Sequence, residues 1–237
     1  MSVVQARDTP RLLLVEDDDA LAALVVEYLT PHGFDVRRVG TGSAGADAIL
    51  SGRPDLVVLD LMLPELNGLD VLRRVRTDYT GIIMMLTASQ SEADHVAGLE
   101  LGADDFITKP IDPRVLLARI RTQLPRHRGA PPRARTDGVL RVGAIHIDVG
   151  ARDVCVGTQP VSLTTMEFDV LHLLAERAGS VVGRDDLYRT ILGIDYDGLD
   201  RGMDVHVSRI RKKLEPAGWD TTRLKAVRGV GYLLAAR

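Results

Sequence analysis

The sequence of 237 residues predicts an α/β domain, a doubly wound five-stranded parallel sheet, followed by an α+β domain. Three observations support this prediction. Short apolar runs alternate with helical periodicity up to residue 124, and a Pro-, Gly- and Arg-rich stretch follows at 125–138. Beyond it, the pattern changes to short alternating strands, three helices and a hairpin. We therefore predict domains at 1–124 and 139–237, joined by a linker at 125–138.

Apolar runs and amphipathic segments alternate regularly in the first domain. The strand candidates are RLLLV (11–15), DVRRV (35–39), DLVVL (55–59), IIMML (82–86) and DFIT (105–108). The helical candidates lie near 19–32, 43–51, 67–76, 92–101 and 113–124. Continuous apolar strands that alternate with helices are typical of a parallel sheet with helices on both faces. This repetition predicts the doubly wound arrangement.

The second domain begins with short strands separated by glycine turns, in LRVGAIHIDVGARDVCVGTQPVSL. Three helical segments follow, which are LTTMEFDVLHLLAERAG, RDDLYRTIL and DRGMDVHVSRIRKKLE. In the first of them, Thr164 precedes Glu167 with capping-box spacing, and Gly179 suits the C-terminal end. The final segment, RLKAVRGVGYLLA, predicts a β-hairpin. This order of elements describes a winged helix-turn-helix.

Composition and charge exclude several classes of protein. The chain is 45% hydrophobic and 27% charged, which is typical of folded soluble proteins. A single cysteine, Cys155, excludes internal disulfides and is expected to be a small buried strand residue. No apolar run approaches the ~20 residues that span a bilayer, and the N-terminus lacks the apolar core of a signal peptide. We expect a cytoplasmic protein that does not contact membranes.

Polar side chains follow four of the predicted strands. Glu16 and Asp17 follow the first strand, Asp60 the third, Thr87 the fourth and Lys109 the fifth. Ligand sites in open parallel sheets lie at the carboxyl ends of the strands, so we expect these side chains to converge. Clustered carboxylates repel by about 4 kcal/mol per pair at ~4 Å and an effective dielectric of about 20, and a divalent cation relieves this repulsion.

Oxygen ligands in an incomplete cage favour Mg²⁺, which retains several waters and binds phosphate. The Lys109 ammonium can form an ion pair with a bound anion, and the Thr87 hydroxyl can donate a hydrogen bond to the same anion. An acid, a metal, a lysine and a hydroxyl together predict a phosphoryl-accepting site. Asp60 would be the nucleophile in that site.

The third helix of the second domain is amphipathic. At 100° per residue, one stripe contains Met203, Val207, Ile210 and Leu214. The opposite face contains Arg201, Val205, Ser208, Arg209 and Lys212. For an isolated helix this pattern indicates a solvated charged face. Because this helix directly precedes the predicted wing, the pattern favours entry into the major groove of DNA.

These motifs resemble those of a known family. The first domain resembles the receiver domain of two-component response regulators, in Glu16, Asp17, LDLMLPELNGLDVL, LTA and GADDFITKP. The second resembles the OmpR/PhoB-type DNA-binding effector domain, in LTTMEFDVL, MDVHVSRIRKKLE and VRGVGY. The resemblance covers nearly the whole chain. It implies a transcription factor, not an enzyme, whose Asp60 accepts a phosphoryl group from a sensor histidine kinase.

The resemblance also implies a role for each residue of the receiver site. The implied Mg²⁺ ligands are Asp17, Asp60, the Met62 carbonyl and, through water, Glu16. The implied phosphate-binding and switch residues are Thr87, Lys109 and Phe106, with phenylalanine in place of the more usual tyrosine. The Lys109–Pro110 bond is implied to be cis, which proline makes less costly than other residues do.

Contacts with DNA, a second subunit and RNA polymerase follow from the same resemblance. The implied DNA contacts are Arg201, His206, Ser208, Arg209, Arg211, Lys212, Arg228 and Tyr232, with Arg209 reading base edges. The implied homodimer, formed on phosphorylation, uses Glu100, Asp104, Asp105, Arg119 and Arg121, with Arg119 paired to Asp104 or Asp105 and Arg121 to Glu100. His95 and Val115 depart from a basic–acidic pair that is common in this family. The loop GIDYDGLD (193–200) corresponds to one that can contact RNA polymerase.

Two other functions fit parts of the sequence. One is a phosphate-handling enzyme with an aspartyl nucleophile, such as a phosphatase. That chemistry usually needs a second acid two residues beyond the nucleophile, where Met62 stands. The other is a DNA-binding protein with a vestigial first domain, against which the intact set of acidic residues argues.

Overall fold

The computed structural model describes residues 9–88, 92–127, 139–196, 198 and 201–236. The chain divides into two compact units, Met1–Ile120 and Arg121–Arg237. Most of the predicted linker, 128–138, lies outside the described residues. The last helix of the first domain continues to His127, three residues into that predicted linker. The domain bounds 1–124 and 139–237 therefore stay a prediction.

The first domain has the predicted five βα units. Its strands are β1 (Arg11–Val15), β2 (Asp35–Val39), β3 (Leu56–Asp60), β4 (Ile82–Thr87) and β5 (Asp105–Thr108). Its helices are α1 (Asp19–Leu29), α2 (Gly42–Gly52), α3 (Gly68–Val75), α4 (Glu92–Leu101) and α5 (Pro113–His127). All neighbouring strands pair in parallel, in the order β2-β1-β3-β4-β5. The predicted fold class of this domain is confirmed.

Burial explains why the central strands are almost continuously apolar. Every residue of β3 and β4 is buried, as expected for strands covered on both faces. The edge strand β2 is more exposed and is the most polar of the five. Asp60 is the exception within β3, because its carboxylate lies in that buried strand at its carboxyl end.

The second domain combines two antiparallel sheets with helices. Its strands are β6 (Val139–Val142), β7 (Ile145–Asp148), β8 (Asp153–Val156), β9 (Gln159–Val161), β10 (Val181–Gly183), β11 (Leu224–Val227) and β12 (Gly231–Leu234). Its helices are α6 (Thr165–Glu176), α7 (Arg184–Leu187), which continues as one π-helical turn (Tyr188–Leu192), and α8 (Gly202–Leu214). One sheet has the order β6-β7-β8-β9, and the other has the order β10-β12-β11. The predicted winged helix-turn-helix arrangement is confirmed.

Local signals in the second domain behave as predicted. Thr164 and Glu167 form the reciprocal capping box at the start of α6. The apolar stripe of α8 is buried in the domain core, at Met203, Val207, Ile210 and Leu214. Cys155 lies in β8 and is partly buried. Among the residues that the structure describes, no helix is both long and apolar enough to cross a bilayer.

Candidate functional sites

The acidic residues singled out in the sequence converge at one edge of the parallel sheet. Because β1, β3, β4 and β5 are consecutive neighbours, the residues at their carboxyl ends meet there. Carboxylate oxygens of Glu16, Asp17 and Asp60 lie within 4.8 Å of one another. Glu16 and Asp60 are buried, whereas Asp17 is exposed. Asp17 is therefore the acid of this cluster that is most accessible to solvent.

Lys109 joins two of these acids. Its Nζ atom donates to Asp60 Oδ2 at 2.9 Å and to Glu16 Oε1 at 3.1 Å. The lysine reaches the cluster from the segment after β5, and its main-chain N–H donates to the Thr87 carbonyl at 2.8 Å. The Lys109–Pro110 peptide bond is cis, as predicted.

The electrostatics of the cluster follow from burial and proximity. Burial raises the pKa of Glu16 above its ordinary value, and the negative charge of Asp60 raises it further against the opposing effect of Lys109. Burial alone would lower the pKa of Lys109, but its bonds to Asp60 and Glu16 outweigh this effect and raise the pKa. The lysine is thus held as a cation beside the carboxylates.

The donor set fits a small, hard divalent cation. Three carboxylates offer oxygen ligands within the span of one ion. Oε2 of Glu16 is buried and accepts no hydrogen bond from the described residues, although Lys109 Nζ lies 2.9 Å from it. A cation in this pocket would relieve both the repulsion between the acids and the unsatisfied oxygen. The side chain of Met62 is 71% exposed and forms no part of the pocket wall.

A glycine gives the chain its tight path beyond Asp60. A Cβ atom on Gly68 would lie 2.2 Å from the main-chain oxygen of Asp60, so any other residue would displace this backbone. The main-chain N–H of Gly68 also donates to the Leu61 carbonyl at 2.9 Å. The motif LDLMLPELNG therefore folds back against the end of β3 and keeps Asp60 in place.

Thr87 and Phe106, the other two predicted phosphate-binding and switch residues besides Lys109, lie in β4 and β5. Thr87 is the buried last residue of β4. Phe106 in β5 is 6% exposed and packs against His95 of α4, with ring centroids 4.3 Å apart. Gly98 permits this packing, because a Cβ there would lie 2.4 Å from Phe106 Cζ. The aromatic ring thus faces α4 in this structure.

Arg38 is a residue of the site that the sequence analysis missed. It lies in the edge strand β2, and its guanidinium contacts the turn between β1 and α1 that carries Glu16 and Asp17. The only sequence signal is an arginine in a short edge strand, which is too common to single out.

Three of the five charged residues predicted for a dimer, Asp104, Asp105 and Arg119, form ion pairs within the chain. Arg119 lies 2.8 Å from Asp105, one of its two predicted partners. Asp104 is not that partner, because its fully buried carboxylate instead binds Arg76 and accepts from the main-chain N–H of Ile83 at 2.8 Å. Arg76 was missed because its partner is distant in sequence. Glu100 and Arg121 are both exposed.

Four of the predicted DNA contacts lie at the surface of the second domain. Arg201 immediately precedes α8 and is exposed, Ser208 is partly exposed, and Lys212 is exposed. Arg228 is exposed in the turn between β11 and β12, which is the predicted wing. All four side chains are therefore accessible for the contacts that the sequence predicts, which stay a prediction.

The other four predicted DNA contacts, His206, Arg209, Arg211 and Tyr232, are buried or bonded within the domain in this structure. His206 is 3% exposed and packs inside the domain. Tyr232 is 1% exposed, and its hydroxyl donates to Asp204. Arg211 donates to the Leu224 carbonyl through Nε at 3.0 Å and Nη2 at 2.6 Å. Tyr232 and Arg211 thus link α8 to the two strands of the wing.

Arg209 was expected to read base edges, but it faces inward. Its Nε donates to Glu167 Oε1 at 2.6 Å, and its side chain is 12% exposed. The helical projection explains this orientation, since Arg209 lies roughly 70° around α8 from the centre of the cationic face at 100° per residue. That position turns it toward α6, which carries the acid. Of the acidic loop 193–200, residues 197, 199 and 200 lie outside the described part of the chain.

Comparisons with known proteins identify the families of the two domains. Residues 12–121 match the family model of the response regulator receiver domain, and residues 158–234 match that of the C-terminal domain of transcriptional regulatory proteins. Similar curated proteins include the sensory transduction protein RegX3 of Mycolicibacterium smegmatis, 40% identical over 94% of this chain and 98% of that protein. The DNA-binding response regulator MtrA of Mycobacterium tuberculosis is 41% identical over 94% of this chain and 95% of its own length.

A more distant curated relative and a solved structure complete the comparison. The transcriptional regulatory protein RstA of Escherichia coli is 38% identical over 94% of this chain and 97% of that protein. The structure of a RitR mutant aligns with a TM-score of 0.70 at 26% identity, covering 96% of this chain and 100% of that chain.

Proposed function

This chain belongs to the OmpR-type family of two-component response regulators, and we propose that phosphorylation of Asp60 by a sensor histidine kinase controls its binding to promoter DNA. The observation that carries the proposal is the convergence of Glu16, Asp17, Asp60 and Lys109 at one sheet edge. Both proposed partners, a kinase domain and promoter DNA, agree with the expected cytoplasmic location.

Asp60 acts as the nucleophile in the proposed phosphoryl transfer. One of its carboxylate oxygens attacks the phosphorus of a phosphohistidine, forming an O–P bond as the N–P bond breaks. The electron pair of the broken bond remains on the imidazole nitrogen, and Asp60 becomes an acyl phosphate. Lys109, already 2.9 Å from Asp60, stabilises the negative phosphoryl oxygens, and the Thr87 hydroxyl donates to one of them.

Glu16, Asp17, Asp60 and the Met62 carbonyl are the proposed ligands of Mg²⁺ in this site. When bound, Mg²⁺ supplies positive charge against the charge that develops on the phosphoryl oxygens. The positive charge of Lys109, which contacts Glu16 and Asp60, reduces the electrostatic repulsion between these two carboxylates.

Phosphorylation is proposed to act through the residues next to Asp60. The acyl phosphate adds about −1.5 to −2 charges and new acceptor oxygens, which attract Thr87 and Lys109 and alter the packing of Phe106 against α4. The face made by α4, β5 and α5, with Glu100, Asp105, Arg119 and Arg121, is proposed to pair with a second copy of the chain. Two effector domains then bind adjacent half-sites.

The DNA-reading surface is proposed to contain Arg201, Ser208 and Lys212 of the α8 face and Arg228 of the wing. The domain's near-neutral charge gives it modest non-specific affinity, so two copies are needed for tight binding. Contact between the loop 193–200 and RNA polymerase is part of the same proposal, on the basis of the loop's acidity.

The full chain tests this proposal directly. We expect a small phosphodonor with Mg²⁺ to label the protein once, to increase its dimer fraction and to raise its affinity for a promoter fragment. Chelation of Mg²⁺ should prevent all three changes, as measured by intact mass, sedimentation and a DNA titration. DNA binding that is equally tight before and after labelling would contradict control by phosphorylation.

Lys212 offers a test of the DNA-binding face. We expect Lys212→Ala to weaken binding to specific and random duplexes alike and to lower the slope of log affinity against log salt by about one, because a phosphate contact is lost. The control is Arg141→Ala, which removes an exposed cation from β6 in the other sheet. An unchanged salt slope for Lys212→Ala would remove this residue from the proposed contacts.

A further inference from the structure

We propose that Arg38 is a positioning residue for the cation site, holding the turn between β1 and α1 in the shape that directs Glu16 and Asp17 toward Asp60. The inference rests on the proposed function, because it concerns the Mg²⁺ site of that function. It assigns a specific task to the edge strand β2, which contributes none of the proposed ligands.

The turn is short, and its other contacts hold the Glu16 carboxylate, which accepts from the Asp18 N–H at 3.3 Å and from Lys109 Nζ. β1 ends at Val15 and α1 begins at Asp19, so residues 16–18 must reverse direction while presenting two acids to the site. Asp18 serves as the helix N-cap, accepting from the main-chain N–H groups of Ala20 and Leu21. Its side chain is therefore committed to α1 and does not orient the preceding peptide groups.

The guanidinium of Arg38 binds the peptide carbonyls of the acidic residues themselves. Nε donates to the Glu16 carbonyl and Nη2 to the Asp17 carbonyl, each at 3.0 Å. Nη1 donates to Asp19 Oδ1 at 2.5 Å. Three nitrogens of one planar group thus bind three residues of the segment. The orientation of a peptide plane determines the direction of the neighbouring Cα–Cβ bonds. Fixing these two carbonyls therefore also fixes the directions in which the Glu16 and Asp17 side chains leave the backbone.

The main chain of β2 adds a further contact to the same turn. The Glu16 N–H donates to the Val39 carbonyl at 3.1 Å. Both polar main-chain groups of Glu16 are therefore bound by consecutive residues of β2, Arg38 and Val39. The side chain of Arg38 is 31% exposed, and that of Asp19 is 90% exposed, so their ion pair contributes little and the two carbonyl bonds carry the positioning.

Positioning and charge predict opposite effects of removing this arginine. By Coulomb's law alone, the loss of a positive charge beside the acids would strengthen cation binding. Loss of the carbonyl bonds would instead let the turn relax and weaken it. Removing a group that orients metal ligands by hydrogen bonds typically lowers metal affinity about tenfold or more. We therefore expect positioning to dominate, and Arg38→Ala to weaken Mg²⁺ binding about tenfold.

Arg38→Lys separates the shape of the guanidinium from its charge. Lysine retains the charge but presents a single nitrogen, which cannot bind three separated acceptors in a fixed plane. We expect Arg38→Lys to lose about as much Mg²⁺ affinity as Arg38→Ala. The matched control is Arg37→Ala, which removes an exposed arginine from the adjacent position of the same strand.

The experiment follows Mg²⁺ binding to the unphosphorylated full chain by the ¹⁵N NMR shifts of the amides of residues 16–18. The half-saturating Mg²⁺ concentration should rise about tenfold for both Arg38 variants and stay unchanged for Arg37→Ala. At saturating Mg²⁺, labelling by a small phosphodonor should return to within about twofold of wild type, since Asp60 and Lys109 are intact. Thermal unfolding without Mg²⁺ shows that each variant is folded.

Three results would overturn the proposal: Mg²⁺ binding by Arg38→Ala that equals or exceeds wild type, full affinity in Arg38→Lys, or an equal loss in Arg37→Ala. Failure of wild type to bind Mg²⁺ or to be labelled would instead contradict the proposed function. The two failures are therefore distinguishable.

Discussion

Asp60→Asn is expected to abolish labelling of the chain by a small phosphodonor in the presence of Mg²⁺. The amide has the size of the carboxylate but lacks its charge and the nucleophilic oxygen that would form the acyl phosphate. It would also remove one of the two acids that Lys109 binds, and one of the three proposed cation ligands. Intact-mass spectrometry, followed over time, measures the result.

A second aspartate provides the control for this variant. Asp47→Asn makes the same chemical change on α2, at a carboxylate that is 70% exposed and pairs with Arg74 at 2.8 Å. We expect Asp47→Asn to be labelled like wild type, and Asp60→Asn to remain folded because it relieves repulsion within the acidic cluster. Labelling of Asp60→Asn at the wild-type rate would show that another residue is the phosphoacceptor.

Glu167→Gln is expected to have the largest effect on stability. The carboxylate of Glu167 is fully buried and accepts from Arg209 Nε and Lys213 Nζ, each at 2.6 Å, and from the Thr164 N–H at 2.8 Å. The neutral amide would leave Arg209 and Lys213 without a counter-charge. Its NH₂ group would also point at one of these two hydrogen-bond donors. Breaking a buried pair from one side typically costs about 3–5 kcal/mol. Because Arg209 and Lys213 belong to α8, promoter binding should weaken as well.

The effector domain contains its own probe for this measurement. Trp219, the single tryptophan of the chain, is 4% exposed in the core of that domain, so its fluorescence reports urea unfolding there. Glu176→Gln is the control, since its carboxylate lies on the same helix but is 50% exposed and contacts His172. It should change the free energy of unfolding by less than about 1 kcal/mol. An equally small loss for Glu167→Gln would show that the buried pairs contribute little.

The same residue predicts how stability depends on pH. Burial alone would raise the pKa of Glu167, but the charges of Arg209 and Lys213 outweigh it and hold the pKa below its ordinary value of 4.5. The unfolded chain therefore takes up this proton first as the pH falls. The stabilisation is complete above the ordinary value and is lost as the pH falls through the lower, folded pKa. Glu167→Gln should lack this part of the acid dependence.

Local pattern was sufficient for the order of the elements and for the receiver site. The five apolar runs coincide with β1 to β5 within one residue at either end, and the capping box at Thr164 forms as predicted. Hydrophobic periodicity is repeated over many residues, so individual exceptions do not obscure it. The site followed because parallel topology alone brings the ends of neighbouring strands together.

The pairing of single charges was decided by the tertiary structure. Arg209 and Lys212 look equivalent in the sequence, yet one binds a buried acid of α6 and the other is exposed. Asp104 and Asp105 are adjacent, yet they bind Arg76 and Arg119, respectively. Arg38 gave only a sequence signal too common to single it out. An ion pair depends on one rotamer and on the distance between elements far apart in the chain, and no local periodicity encodes either quantity.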